Sequence, residues 1–407
     1  MMIKAILLDL DDTLLGNPAQ RFVQNYLALL ENHLRETVGL AAGAKGLMTG
    51  THAVVKSSDP TRTNEETFYA AFDPWLAASQ ISRADFDPAA DHFYRAIYPQ
   101  LQAVTQKRPG ARRLVEWLLA QEYKVVVATN PFFPRTAIEQ RLDWAGVSVQ
   151  DIPFDLVTTL ENMHYSKPHP AYYEEILARL GVQADEAIMV GDDWENDIEP
   201  AWRAGLNTFW IVPDGSNHDH EDLPIQPDGI GSLADFACRV QEENWLETLT
   251  PRPHEPTQIA PRLSGNLAAL LSMVRETPPH VWQMRPDEAE WSPIEVLCHL
   301  GEAERDVQRP RLQLIAQADN PFLSQPKEPP RPASRICPEK AWHVALEFAR
   351  ERQQTIDFLT ALESDAWVRP ARHYIFGPTT LLEVANFLAQ HDRLHMMQLC
   401  QTVGKCE

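Results

Sequence analysis

The sequence predicts an α/β protein: a doubly wound parallel sheet with a helical cap, followed by an all-α four-helix bundle. Three observations carry this. From Ile3 to about Cys238, short apolar runs bounded by turn residues alternate with amphipathic helical stretches, the rhythm of strand–helix–strand units. One long helical interval interrupts that rhythm between the first strand and the next. Beyond the proline-rich stretch TPRPHEPTQIAPR (Thr250 to Arg262), only helical periodicity remains.

The first strand lies in KAILLDLDDTLLG, Lys4 to Gly16, where the apolar run Ala5 to Leu8 leads straight into Asp9, Asp11 and Asp12. The interval from about 17 to 107 follows, with helical stretches such as RFVQNYLALLENHLRETVG and EETFYAAFDPWLAA, and reads as a cap over the sheet. Buried strands are then expected at KVVVATN (Lys124 to Asn130), FDLVTTL (Phe154 to Leu160), AIMVGDD (Ala187 to Asp193) and NTFWIVPD (Asn207 to Asp214). Helices are expected between them at Gly110 to Glu122 and Pro170 to Gly181. This gives a sheet domain over 1–245, a linker over 246–261 and a bundle over 262–407.

Four bundle helices are expected at Pro261 to Glu276, Ser292 to Gln317, Pro338 to Leu362 and Thr380 to Val403. Ser292-Pro293-Ile294-Glu295 and Thr380-Leu381-Leu382-Glu383 are capping boxes, the first with proline at the opening helical position. The connection Asn320 to Glu339 is long and proline-rich, and reads as a crossover or a lid.

Composition bounds the partners. The formal charge of −21 over 407 residues, with no local basic patch, argues against nucleic acid and anionic membrane surfaces. No stretch has the length and apolarity of a membrane span. Five cysteines (Cys238, Cys298, Cys337, Cys400 and Cys406) include no CxxC pair, so a reducing cytoplasm is expected. Homo-oligomer formation is left open.

Like charges as close as Asp9, Asp11 and Asp12 are costly unless a cation or a reaction needs them. In a parallel sheet the strand C-termini share one rim, where ligands bind. Thr129 and Asn130 follow one strand there, Asp192 and Asp193 follow another, and Lys167 in YSKPHP is within reach. An all-oxygen acidic set with one lysine suits Mg2+ and a phosphate group. The four motifs, DxDxT at Asp9 to Thr13, Thr129, Lys167 before proline, and GDDWEND at Gly191 to Asp197, resemble those of the haloacid dehalogenase superfamily.

That resemblance implies Asp9 as a nucleophile forming an aspartyl-phosphate and Asp11 as the acid/base. Thr129, Asn130 and Lys167 would bind the phosphoryl group. Asp192 would bind Mg2+ with Asp9 and the Asp11 carbonyl, with Asp197 supporting and Asp193 a further contributor. Dehalogenating members typically lack an acid at the position of Asp11, so the resemblance favours a phosphatase acting on a small phosphorylated metabolite. The cap is the family's usual seat of specificity; Lys56 and Arg62 there read equally well as surface charges.

In the bundle, His391 and His395 stand four apart in LAQHDRLHMMQ, and His299 in EVLCHLGEAE lies on another helix. Three imidazoles with open positions suit Zn2+, Ni2+ or Fe2+. WSPIEVL leading to His299-Leu300, FGPTTLLE and HDRLHMMQ resemble the DinB/YfiT-like bundles, and that resemblance implies His299, His391 and His395 as ligands. Glu302, one turn after His299, reads as a supporting or acid/base group or as a solvated helix residue. The alternatives to a phosphatase are a metal-dependent, thiol-type transferase centred on the bundle, or a bundle serving as a noncatalytic sensor or assembly module.

Overall fold

The computed structural model describes residues 2–213, 223–326 and 340–406. By compactness the chain divides into two units, Met1–Tyr173 with Val182–Arg252, and Glu174–Gly181 with Pro253–Glu407.

In the first unit β1 (Ala5–Leu8) is wholly buried, as an unbroken aliphatic run in a parallel sheet must be. β2 (Leu15–Gly16) follows, and then the cap helices α1 (Ala19–Val38), α2 (Gly43–Lys56), α3 (Asn64–Ala78) and α4 (Arg83–His92). The chain returns through β3 (Gln106–Lys107), which pairs antiparallel with β2. α5 (Ala111–Ala120), β4 (Lys124–Val127), α6 (Arg135–Ala145), β5 (Leu156–Val157), α7 (Pro170–Leu180, counted with the second unit from Glu174 on), β6 (Ala187–Gly191), α8 (Glu199–Arg203), β7 (Asn207–Ile211), β8 (Gly229–Gly231) and α9 (Leu233–Glu242) follow. The six-stranded sheet has the order β5-β4-β1-β6-β7-β8, parallel throughout.

The strand expected over Phe154 to Leu160 is only two residues long. β5 is an edge strand whose partner β4 ends at Val127, and past it the Thr158 hydroxyl turns inward to donate to the Thr129 carbonyl at 2.7 Å. Strand β8, absent from the sequence expectation, is a Gly-Ile-Gly segment with too little side chain to signal itself.

The expected linker over 246–261 is cut from both sides. Leu246 is buried in the core of the sheet unit, and α10 (Pro256–Glu276) begins inside the stretch taken as linker. Pro256 suits the first helical position because its missing N–H is not needed there, and Glu255 forms a capping box with Gln258. α11 (Pro293–Ala303) runs through a wide turn at Glu304–Gln308 into α12 (Arg309–Gln317), followed by β9 (Phe322–Leu323), α13 (Ala341–Thr360), β10 (Pro370–His373), β11 (Gly377–Thr380) and α14 (Leu381–Cys406). Both capping boxes form: Glu295 accepts from the Ser292 N–H at 2.8 Å and Glu383 from the Thr380 N–H at 2.7 Å. The small sheet β11-β10-β9 was not expected. Leu267, Leu271, Val296, Leu300, Phe348 and Leu399 make one core cluster of the bundle. Most of the connection read as a crossover or lid, the expected helix start at Pro338, and Cys337 lie outside the described residues.

Three turns with i→i−5 bonding, Phe93–Ile97, Trp194–Ile198 and Glu304–Gln308, each end two residues before a proline: Pro99, Pro200 and Pro310. A helical proline has no N–H to donate and its ring crowds the carbonyl four residues back; widening that turn relieves both.

Candidate functional site

β4, β1 and β6 are neighbours in the sheet, so their C-terminal ends bring three loops together. Asp9 leaves β1 with its N–H bonded to the Val190 carbonyl at 2.9 Å, Thr129 follows β4, and Asp192 follows β6. Carboxylate oxygens of Asp9, Asp192 and Asp197 lie within 4.8 Å of one another. Lys167, buried on the same rim, donates to Asp9 Oδ1 at 2.7 Å and to Asp197 Oδ1 at 2.5 Å.

This cluster is short of positive charge: three carboxylates face one ammonium. Burial, and then the nearby Asp197, Asp192 and Asp11, push Asp9 well above the usual carboxylate range against the pull of Lys167. Burial and Asp197 push Asp192 up to about 7. Burial alone would lower Lys167, but Asp197 and Asp9 outweigh it and hold the ammonium well above its ordinary value. A divalent cation at Asp9, Asp192 and Asp197 would relieve that excess, and an all-carboxylate donor set is the chemistry Mg2+ takes. These residues fit the ion.

Asp197 reaches the cluster from the wide turn Trp194–Ile198, where the Asp197 and Ile198 N–H groups both bond to the Asp193 carbonyl. Its carboxylate lies against Gly191: a Cβ built there would stand 2.2 Å from Asp197 Oδ2. Asp193, expected as a further metal contributor, is instead an exposed cap that accepts from the Glu195 and Asn196 N–H groups at 2.9 and 3.1 Å. The Asn130 side-chain oxygen is buried without a hydrogen bond among the described residues. The Thr129 carbonyl accepts from Thr158 and Tyr172, which fixes the loop that carries Thr129 and Asn130.

The three opening acids do three different jobs. Asp9 belongs to the cluster. Asp11 is held on one oxygen by Asn17 Nδ2 at 2.7 Å and on the other by Arg141 Nη1. Asp12 adopts φ 55° and anchors the cap's two ends, accepting from the Asn17 N–H at 3.0 Å and pairing with Arg108 at 3.2 Å. Lys56 is exposed, and Arg62 lies 3.9 Å from Asp59 on the surface.

Arg141 and Asn17 were not anticipated. Arg141 is 2% exposed, with its guanidinium carbon 4.6 Å from the Phe133 ring centre. A signal existed: Ala137, Ile138, Leu142 and Ala145 form the buried stripe of α6, and Arg141 falls on that stripe. A buried charge on an apolar stripe needs a counter-charge, here the half-buried Asp11.

In the second unit His299 on α11 and His391 and His395 on α14 also bring ligand atoms within 4.8 Å of one another. Their ring centres are 5.5, 4.6 and 4.4 Å apart, and Trp291 stands edge-on to His299. Burial and the neighbouring imidazoles push His299 and His391 down to about 4, and burial lowers His395. All three are therefore neutral at pH 7, the form that ligates. Among the described residues His299 Nδ1 is buried with no hydrogen bond, while His395 Nδ1 bonds to Gln398 at 2.8 Å. The set fits a borderline transition metal. Beside it Arg352, fully buried, forks to Glu304 (3.0 and 2.9 Å) and to Asp392, the residue after His391. This ion-pair network was not foreseen, although Arg352 and Asp392 both lie on buried helix stripes.

Comparison with known proteins follows this division. Residues 3–205 match the family described as haloacid dehalogenase-like hydrolase, and residues 262–399 match the DinB superfamily. Ribulose-1,5-bisphosphate 5-phosphatase of Halopiger xanaduensis is 29% identical over 215 residues, 52% of this chain and 86% of that protein. Pyrophosphatase PpaX of Bacillus cereus is 36% identical over 94 residues, 23% of this chain and 41% of that protein. The crystal structure of an HAD phosphatase from Thermococcus onnurineus aligns at TM-score 0.39 and 20% identity, covering 59% of this chain and 98% of that one. No helix among the described residues is long and apolar enough to cross a membrane.

Proposed function

We propose a function for a chain whose residues 3–205 belong to the haloacid dehalogenase-like hydrolases and whose residues 262–399 belong to the DinB superfamily: Mg2+-dependent hydrolysis of a phosphomonoester through an aspartyl-phosphate on Asp9. The observation that carries it is the buried rim cluster, with Lys167 bonded to both Asp9 and Asp197 and Asp192 beside them. One relative is named a bisphosphate phosphatase and another a pyrophosphatase, and a small phosphorylated metabolite is the substrate class we carry over.

In this reading an Asp9 carboxylate oxygen attacks phosphorus and the bond to the leaving oxygen breaks. Asp11, held by Asn17 and Arg141, gives its proton to that oxygen. Asp11 then takes a proton from the water that attacks the aspartyl-phosphate, which restores Asp9 and releases phosphate. Thr129, Asn130 and Lys167 hold the phosphoryl oxygens. Mg2+ would be held by Asp9, Asp192 and the Asp11 carbonyl with Asp197 in support, and its chemistry is to neutralise charge on the transferring group. Turnover of a phosphate-ester panel by the purified protein should require Mg2+ and vanish in D9N; full activity in D9N would end this reading.

The bundle supports a second reading, a transition-metal site on His299, His391 and His395, favoured by their neutral state and the unpaired His299 Nδ1. Elemental analysis should find about one transition metal per chain, lost in H299A. Unchanged metal content in that variant would rule the triad out. A reducing cytoplasm suits Cys238, Cys400 and Cys406, which are free thiols.

A further inference from the structure

The three imidazoles of the bundle are not equivalent. The ring centres of His299 and His391 stand 5.5 Å apart, whereas His395 lies 4.6 Å from the first and 4.4 Å from the second. His395 is thus the ring nearest both others, and its orientation decides whether three nitrogens can meet at one point. A neutral imidazole can offer either nitrogen, and the one it offers is set by the hydrogen bond that the other makes.

A residue one turn along the same helix makes that bond. Gln398 follows His395 by three positions on α14, which places the two side chains on one face, and its Oε1 is 2.8 Å from His395 Nδ1. A carboxamide oxygen only accepts, so the bond requires the proton of the neutral ring to sit on Nδ1. The lone pair is then on Nε2. Met396 and Leu399 on either side of this turn are buried in the bundle core, which anchors the backbone that carries Gln398. His299 has no such help at Nδ1, which is buried with no hydrogen bond among the described residues.

We propose that Gln398 is the positioning residue of the triad: it holds His395 as the Nδ1–H tautomer with Nε2 presented to a metal, so that His395 is the ligand around which His299 and His391 complete the site. This rests on the reading of the bundle as a transition-metal site. The choice of partner also sets how tightly the ion is held. A carboxylate in place of the amide would draw on the Nδ1 proton more strongly and make Nε2 a better donor. Gln398 orients the ring without that gain, and the metal is held less tightly than a carboxylate would hold it.

The test uses the full-length protein and begins without metal. Imidazole 15N spectra of the metal-free protein at pH 7 should show His395, assigned by its loss in His395→Ala, as the Nδ1–H tautomer, and Gln398→Leu should abolish that preference. Zn2+ affinity is then measured by competition with a chromophoric chelator. Gln398→Leu should weaken it by about 10–100-fold, with a metal-free thermal melt equal to that of the unmutated protein, and Gln398→Glu should bind at least as tightly as the unmutated protein. An Nε2–H or mixed tautomer in the unmutated protein would overturn the proposal, as would unchanged Zn2+ affinity in Gln398→Leu or a loss in Gln398→Glu as large as in Gln398→Leu. Zn2+ binding untouched by His299→Ala would instead sink the reading of the triad as a metal site, while the tautomer seen without metal would still report whether Gln398 orients His395.

Discussion

Gly191→Ala tests the geometry of the rim with a single methyl group. The added Cβ would stand 2.2 Å from Asp197 Oδ2 and 2.5 Å from its Cγ, whereas ordinary contact begins at 3.4 Å, so the carboxylate must retreat by about 1.2 Å. The carboxylate that must move is the one whose Oδ1 accepts from Lys167 at 2.5 Å, so a shift of that size disturbs this bond and with it the balance between Asp197 and Asp9 for the one ammonium. Overpacking of this kind costs about 1–3 kcal/mol of stability, and a misplacement of about 1 Å in a catalytic cluster costs about 10²-fold in rate. The assay is kcat and KM on a phosphate ester with Mg2+, beside a thermal melt. Gly404→Ala is the matched control, since a Cβ there meets nothing within 4 Å. Turnover and melting in G191A equal to those of the unmutated protein would refute the argument that Asp197 is seated by the absence of a side chain at 191.

Lys167→Met leaves Asp9 and Asp197 buried without their cation, which should cost about 3–5 kcal/mol in a denaturant melt without Mg2+, with Mg2+ restoring more stability than in the parent protein. An equal Mg2+ effect in both proteins would count against a shared ion and lysine site. Arg141→Met frees one Asp11 oxygen and should lower kcat by about 10–100-fold with KM little changed; wild-type kcat would make Arg141 a packing residue only. The bundle should weaken in mild acid. Unfolded histidines take up protons near pH 6.5, whereas folded His299 and His391 resist until about 4, so metal-free stability is full above pH 6.5 and falls as pH drops from there towards 4. Thermal melts at several pH values read this directly, and a melt independent of pH across that window would show that the imidazoles are not held neutral by the fold.

Much of the rim was legible because its residues sit where periodicity ends. Asp9, Thr129 and Asp192 each follow a short aliphatic run, and a parallel sheet brings such ends to one edge. Lys167 was legible for its charge among acids. Arg141, Arg352 and Asp392 were harder to read because their partners are far away in sequence: Asp11 is 130 residues from Arg141, and Asp392 is 40 from Arg352. What can be read locally is only that a charge interrupts an apolar stripe. Asp193 was over-read, since a second acid after Asp192 serves equally well as a cap, and its side chain turns to the Glu195 and Asn196 N–H groups. The small sheet of the bundle left little trace: β9 has two residues, β10 opens on Pro370 and β11 on Gly377.

The β2–β3 pair bears on how the cap is attached. Leu15 faces Lys107 and Gly16 faces Gln106, so the residues between them leave and rejoin the sheet unit at one place, and Arg108 fastens the return to Asp12. An insertion whose two ends already touch adds little loop-closure entropy and leaves the strand order untouched. The cap is therefore tied down at one place, so its length and sequence can change while the strand order and the acids beneath keep their positions.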